Sequence, residues 1–382
     1  MRVGLATYAT AVAIIMAAAL STSAAGRGPL YPRMKLEYRA LRESNIYHSF
    51  APTNEVATMV NVLGAEATWK LKGGFHEHRI AAYADLDLYS NHGHRNKSSF
   101  GMVYEPTLRY SKAGRVSLVA DFSRRDKDLI DDAGQSLSRT LKRWESQLGV
   151  VHRYDFGKLR TEAGFTYFNF NYDETDTLAV IGIDTITVHL SSYDYRSETW
   201  QSQLKYKPVR QLVVRFAFRT EKRFYDARRT YTVTFGAVSG RPFRIRNFRE
   251  NAIEGHLGYS FDKRLQLEWE TGFARRTDNF ENFYGYDQWQ HRLSADVAWT
   301  KADETTVSFR FKSKEYPNYH TSRIRPGDRV FIEYTDFDIE HSHRLSTAVT
   351  LTAYVRNYNK VSNDPLFDYQ DFTGGLGIRL EY

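Results

Sequence analysis

Three pairs of histidines stand at strand-like i, i+2 spacing: His76/His78, His92/His94 and His341/His343. Two imidazoles on one face of an extended chain can share a metal ion. A stable site needs a third ligand, and none neighbours any pair, so the pairs read as features of turns or interfaces. There is no Gly-x-Ser-x-Gly elbow and no His-Glu-x-x-His motif. The chain contains no cysteine, which removes thiol catalysis, disulfides, thiolate metal sites and covalent haem attachment. The expectation is therefore no catalytic residue, no metal and no cofactor.

Charge at every second residue is the chemistry that remains. In 211–223, Leu212, Val214, Phe216 and Phe218 alternate with Arg215 and Arg219; in 265–276, Leu265, Leu267, Trp269 and Phe273 alternate with Glu268 and Glu270. In 79–89, Ile80, Ala82, Ala84, Leu86 and Leu88 are set against Asp85 and Asp87. Period two puts the two sets on opposite faces of a strand. The charged set continues with Arg109, Asp121, Arg153, Glu254, Arg292, Asp296, Arg310, Lys312, Asp336, Asp338, Glu340 and Arg356. If the apolar set faces lipid, these residues line a lumen. Arg310, Lys312 and Lys314 are expected beside Asp336, Asp338 and Glu340 of the next strand. They would form either a wall of paired charges or separate basic and acidic stripes whose field orients a charged solute.

The alternating segments that must position these residues number sixteen: 34–42, 59–71, 78–89, 100–110, 116–126, 142–154, 159–172, 195–207, 211–223, 248–261, 265–277, 287–300, 305–316, 333–344, 347–359 and 370–382. Several exceed the roughly ten residues that a tilted strand needs to cross a bilayer. Short connections (72–77, 111–115, 155–158, 208–210, 262–264, 301–304, 345–346) alternate with long ones (90–99, 127–141, 173–194, 224–247, 317–332). Short turns on one side and long loops on the other describe an all-β, closed transmembrane antiparallel barrel of about sixteen strands, short turns in the periplasm and long loops outside. A sandwich would also alternate, but gives no reason for that asymmetry.

Aromatic residues make up 15% of the chain. Just before six of the seven short turns an aromatic sits on the apolar phase: Trp69, Tyr110, Tyr154, Tyr206, Tyr259 and Trp299. Amphipathic rings favour the membrane–water interface, so these six are expected to form a periplasmic girdle. Two long loops carry strand-like stretches of their own, 178–190 and a hairpin pairing 231–235 with 243–245. They would extend the wall, constrict the lumen or bind a surface partner. Arg219, Arg223, Arg228 and Arg229 cluster by the second loop, where they would attract anionic solute or lipopolysaccharide phosphate.

At the N-terminus, Arg2, an apolar run to Leu20 and the small residues Ser23-Ala24-Ala25 read as a signal peptide over 1–25, leaving 26–382 as one barrel domain. At the other end, Phe372, Leu376, Ile378, Leu380 and the terminal Tyr382 lie on one phase of the last strand. In this the chain resembles bacterial outer-membrane β-barrel proteins, porins among them, whose final strand alternates and ends on an aromatic. The resemblance implies delivery to the barrel-assembly machinery and residence among outer-membrane lipid and lipopolysaccharide.

The formal charge of +8 is spread among many carboxylates, which argues against a nucleic-acid partner. The leading functional expectation is a channel passing polar or charged solutes, or an exported saccharide, without a chemical step. Two others stand beside it: a sheath around a periplasmic partner protein such as a multihaem cytochrome, and an adhesion protein acting through its long loops.

Overall fold

Alternation dictates extended chain, and extended chain in hydrocarbon must satisfy every backbone group by pairing, so the sheet closes on itself. The computed structural model describes residues 33–44, 57–90, 96–130, 136–172, 176–181, 184–189, 194–229, 233–234, 237–238, 245–279, 285–320, 328–364 and 368–381. Residues 1–25, His92, His94 and Tyr382 lie outside them.

The strands are β1 (Arg33–Glu43), β2 (Thr58–Lys72), β3 (His76–Tyr89), β4 (Lys97–Arg109), β5 (Gly114–Ile130), β6 (Ser136–Phe156), β7 (Leu159–Tyr172), β8 (Asp176–Ile181), β9 (Asp184–His189) and β10 (Tyr195–Tyr206). They continue with β11 (Leu212–Arg229), β12 (Val233–Thr234), β13 (Ala237–Val238), β14 (Ile245–Ser260), β15 (Leu265–Asp278), β16 (Tyr286–Ala298), β17 (Asp303–His320), β18 (Arg329–Arg344), β19 (Val349–Ser362) and β20 (Tyr369–Glu381). Sixteen of them form a closed antiparallel barrel, each paired with its neighbour in sequence, while β8–β9 and β12–β13 are separate two-stranded hairpins. All sixteen alternating segments coincide with barrel strands.

Three details differ from the sequence expectation. The stretch 127–141 is largely strand, because β5 and β6 stay paired out to Ile130↔Ser136. The return strand of the second loop hairpin is β13, with Val233↔Val238 and Thr234↔Ala237, inside the segment read as its turn. The third concerns charge register. On antiparallel strands a step up one is a step down the other, so Lys312 and Lys314 oppose Tyr334 and Ile332, while Asp338 and Glu340 oppose Ser308 and Thr306. Only Arg310 directly opposes an acid, Asp336.

Closure is made by β1 on β20, from Lys35↔Glu381 to Glu43↔Thr373. Gly375 is required there: a Cβ at this position would lie 2.1 Å from the Ala40 carbonyl oxygen. Several turns on one rim are held by a side-chain oxygen. Asp262 Oδ1 accepts from the amides of Arg264 (2.6 Å) and Leu265 (3.0 Å), and Thr300 Oγ1 accepts from Ala302 and Asp303 (both 3.0 Å). Ser346 Oγ accepts from Ala348 (3.2 Å) and Val349 (3.1 Å) in the same way. The β6–β7 turn instead uses Gly157 at φ +74°, a left-handed conformation in which a side chain would be strained.

The two faces of the wall separate cleanly. Every large apolar strand residue that is exposed, from Tyr38 to Ile378 and including Phe216 (58%) and Leu376 (69%), lies on the outward phase. A soluble protein exposing so continuous an apolar surface would aggregate, whereas a bilayer covers it.

Candidate functional site

All of the expected lumen residues fall on the inward phase. Register fixes this strand by strand, since cross-strand partners share a face: Asp85↔Ser99, Asp121↔Gln147, Arg153↔Glu162, Arg219↔Ala252, Glu254↔Gly272, Glu270↔Arg292 and Asp338↔Arg356. Concavity brings side chains two strands apart together, as where Arg215 of β11 donates to Glu270 of β15 at 3.0 Å across β14. A cavity of about 510 Å³ opens between β20, β1, β2 and β3, lined by Arg33, Lys35, Glu66, Thr68, Lys70, Arg79, Arg379 and Glu381.

Some of these charges are neutralised locally. Arg356 grips Asp336 through two hydrogen bonds of 2.7 and 2.8 Å, and Arg310 approaches the same carboxylate at 3.8 Å. Arg219 donates to Glu250 (2.6 Å) and Glu221 (3.1 Å), and Arg223 to Glu221 (2.8 Å). The arginine cluster by the second loop is thus partly satisfied from within. Arg219 and Arg223 lie on the inward phase and do not face outward from the barrel, while the side chains of Arg228 and Arg229 lie outside the described residues. Arg109 pairs with Glu77 (2.9 Å), Asp296 accepts from Thr306 (2.6 Å), and Asp338 accepts from Ser308 (2.7 Å).

Like charges are also adjacent on one stretch of wall, although four of its six cations hold an acid: Arg109 with Glu77, Arg153 with Glu162, Arg160 with Asp155 and Arg215 with Glu270. Arg109 opposes Arg115, which opposes Arg153. One rung on, Arg160 opposes Lys205, which opposes Arg215. These six cations form an arc over β4 to β11 near the rim of the short turns. Among the described residues, neither Arg115 nor Lys205 has a carboxylate within ion-pair distance, and Arg115 Nε lacks any hydrogen-bond partner. Further round the ring the inward phase carries Glu268 on β15, Asp296 on β16, and Asp338 with Glu340 on β18. In the sixteen-strand ring β6 and β18 are half a circumference apart.

A set of inward aromatics escaped the sequence reading. Toward the long-loop rim the lumen face carries Phe168, Phe170, Tyr195, Tyr225 and Phe248, with successive ring centroids 4.7 to 6.4 Å apart. It continues with Tyr286–Tyr316 (5.6 Å), Tyr334–Tyr358 (6.3 Å) and Tyr358–Tyr369 (5.4 Å). Cations sit over several of these rings, including Arg143 on Phe170 and Arg223 on Tyr195, both at 4.4 Å. Phase counting would have found them, because each lies in step with the charged residues of its own strand.

On the outward phase the structure places Trp69, Tyr154, Tyr206 and Tyr259 within the last four residues of β2, β6, β10 and β14, and Tyr110 and Trp299 directly after β4 and β16. Two have polar anchors: Trp299 Nε1 donates to Thr305 (2.8 Å), and the Tyr110 hydroxyl meets His152 Nε2 (2.7 Å). Phe372, Leu376, Ile378 and Leu380 share the outward phase of β20. Three of the paired histidines are engaged there as well: His78 with the Tyr104 hydroxyl (2.9 Å), His341 with Thr305 (2.9 Å) and His343 with Asp303 (2.6 Å). Among the described residues no three potential ligands cluster as a metal site would require.

No protein-family model matches the sequence, and no curated protein is significantly similar to it. Solved structures do resemble it in fold. The outer membrane protein OprD from Pseudomonas aeruginosa superposes with a TM-score of 0.50 at 10% identity, covering 92% of this chain and 94% of that one. An anion-selective porin from Comamonas acidovorans gives 0.49 at 11% identity, covering 92% and 99%. OccK2 from Pseudomonas aeruginosa gives 0.45 at 11%, covering 92% and 98%. Identity this low speaks to fold alone. With its apolar exterior and charged interior, the chain is a closed β-barrel of porin-like fold.

Proposed function

We propose that this protein is an outer-membrane channel that passes small charged solutes through a water-filled lumen crossed by a transverse field. The short-turn rim faces the periplasm and the long loops face outward. The observation that carries the reading is the cationic arc of Arg109, Arg115, Arg153, Arg160, Lys205 and Arg215 on the inward phase, in which Arg115 and Lys205 have no carboxylate partner among the described residues. Like charges directly opposite one another destabilise a sheet pair unless a medium of high dielectric separates them. Such an arc argues for water at the wall, and a sixteen-strand barrel is wide enough to hold it. Asp338 and Glu340 on β18, half a circumference from β6, complete a field that would align zwitterions and steer anions along one wall and cations along the other. No chemical step is involved.

Planar-bilayer recording of the refolded protein tests the proposal. Ohmic steps, with a reversal potential that responds to substitutions in either arc, are the expected result. A folded barrel that never conducts would refute it and favour a sheath closed by a periplasmic partner.

A further inference from the structure

Each of the seven short turns carries or borders an exposed lysine or arginine. Solubility alone would be served by either sign of charge, yet one sign recurs turn after turn. Acids of the same turns are held in place. Asp262 accepts two turn amides, Asp155 pairs with Arg160, and Asp303 meets His343 at 2.6 Å. Between the β14–β15, β16–β17 and β18–β19 turns and the start of β1 lies a cleft of about 760 Å³. Of the cations that line it, Arg33 pairs with Glu381 (2.8 Å) and Arg379 approaches Glu37 (3.6 Å). The others, Lys263, Arg264, Lys301 and Arg344, take part in no ion pair or side-chain hydrogen bond among the described residues. Glu304 is the only carboxylate of the cleft without a partner among those residues.

From this we infer that the cleft docks an acidic, extended peptide segment of a periplasmic partner protein. The inference takes from the proposed function only the orientation of the barrel, with the short turns in the periplasm. From the β14–β15 turn to the β18–β19 turn is four strand spacings of roughly 4.8 Å, or about 19 Å, the length of about six extended residues. A single small anion covers one or two of these cations, whereas a run of carboxylates reaches all of them. The volume of the cleft falls within the roughly 300–1,000 Å³ of ligand sites. Lipid phosphate is badly placed to fill it. Its wall includes Glu304, Ser342, Thr350 and Arg379 of the inward phase, so it opens on the barrel mouth and not on the bilayer. Exposed charges of one sign speed the encounter with an opposite partner and make it sensitive to salt.

The test is fluorescence anisotropy of a labelled hexaglutamate peptide titrated with the refolded protein in nanodiscs of zwitterionic lipid. Saturable binding that weakens with salt is the expected result. In Lys263→Glu/Lys301→Glu/Arg344→Glu the affinity should fall by roughly tenfold or more, since three attractions become repulsions. Lys72→Glu/Lys112→Glu/Lys207→Glu, on turns outside the cleft, should lower it by less than about threefold. A heat-modifiable gel shift shows that each variant is folded, and where one is not, its glutamine counterpart makes the same comparison. Absent binding, or equal weakening in the two triple variants, would overturn the cleft as a site. So would competition by free glutamate as effective, carboxylate for carboxylate, as that by unlabelled peptide, which would mean a site for small anions. Loss of peptide binding when phosphatidylglycerol is added to the disc would overturn it too, because lipid headgroups would then hold the cations. None of these readouts requires current, so a silent barrel refutes the channel and leaves the cleft to be judged separately.

Discussion

Lys205→Glu should make the barrel more stable and a poorer anion channel at once. Lys205 opposes Arg160 on one neighbouring strand and Arg215 on the other, all three on the inward phase. Taking charge separations on the order of 6 Å and a water-like dielectric, each repulsion is about 0.7 kcal/mol, and salt near 0.1 M roughly halves it. Two such repulsions become two attractions on substitution. The net gain is therefore about 1 kcal/mol once the ordering of the new side chain is discounted. The same change of two charge units alters the energy of a passing ion by roughly 0.5 kcal/mol, favouring cations and disfavouring anions, so the anion-to-cation permeability ratio falls roughly fivefold. Urea unfolding in detergent measures the first effect and reversal potential in a KCl gradient the second. Lys205→Gln should give about half of each, and the stability gain should vanish in 1 M salt. A variant that is destabilised, or whose selectivity is unmoved, would show that the three cations do not share one wet wall.

Asp336→Ala strands two arginines, and because Arg356 is more than a third exposed the expected loss is about 2 kcal/mol, well below that for a fully buried pair. A double-mutant cycle with Arg356→Met should recover most of it as coupling. Gly375→Val drives a side chain into the Ala40 carbonyl at the closing seam and should cost about 3 kcal/mol or more, read as loss of the heat-modifiable band on a gel. Gly157→Ala, at φ +74°, should cost about 1 kcal/mol in urea while leaving conductance unchanged.

The face of each strand was legible in sequence because lipid and water demand opposite chemistry on a period of two. Phe216 and Arg215 cannot exchange sides without burying a charge in hydrocarbon. For the same reason the strand number was legible, since each turn interrupts the alternation. The inward aromatics were passed over because apolar residues are sought on the apolar phase, whereas Phe170, Tyr195 and Tyr286 share the phase of the charges.

Which residue stands opposite which was decided only by the closed barrel. Alternation is unchanged by a two-residue slip in pairing, so the pattern around Lys312 permits Asp336 or Asp338 as readily as Tyr334. Turn geometry and closure between β1 and β20 select one register for all sixteen strands. That register joins Arg310 to Asp336 and leaves Lys312 over a ring. It also sets Arg115 between two arginines and reaches Arg215 across a whole strand to Glu270. Composition and period thus determined a charged lumen inside an apolar wall. The placement of its unneutralised charge, and with it the field a solute meets, belongs to tertiary structure, because electrostatic energy depends on distances between strands that no local pattern encodes.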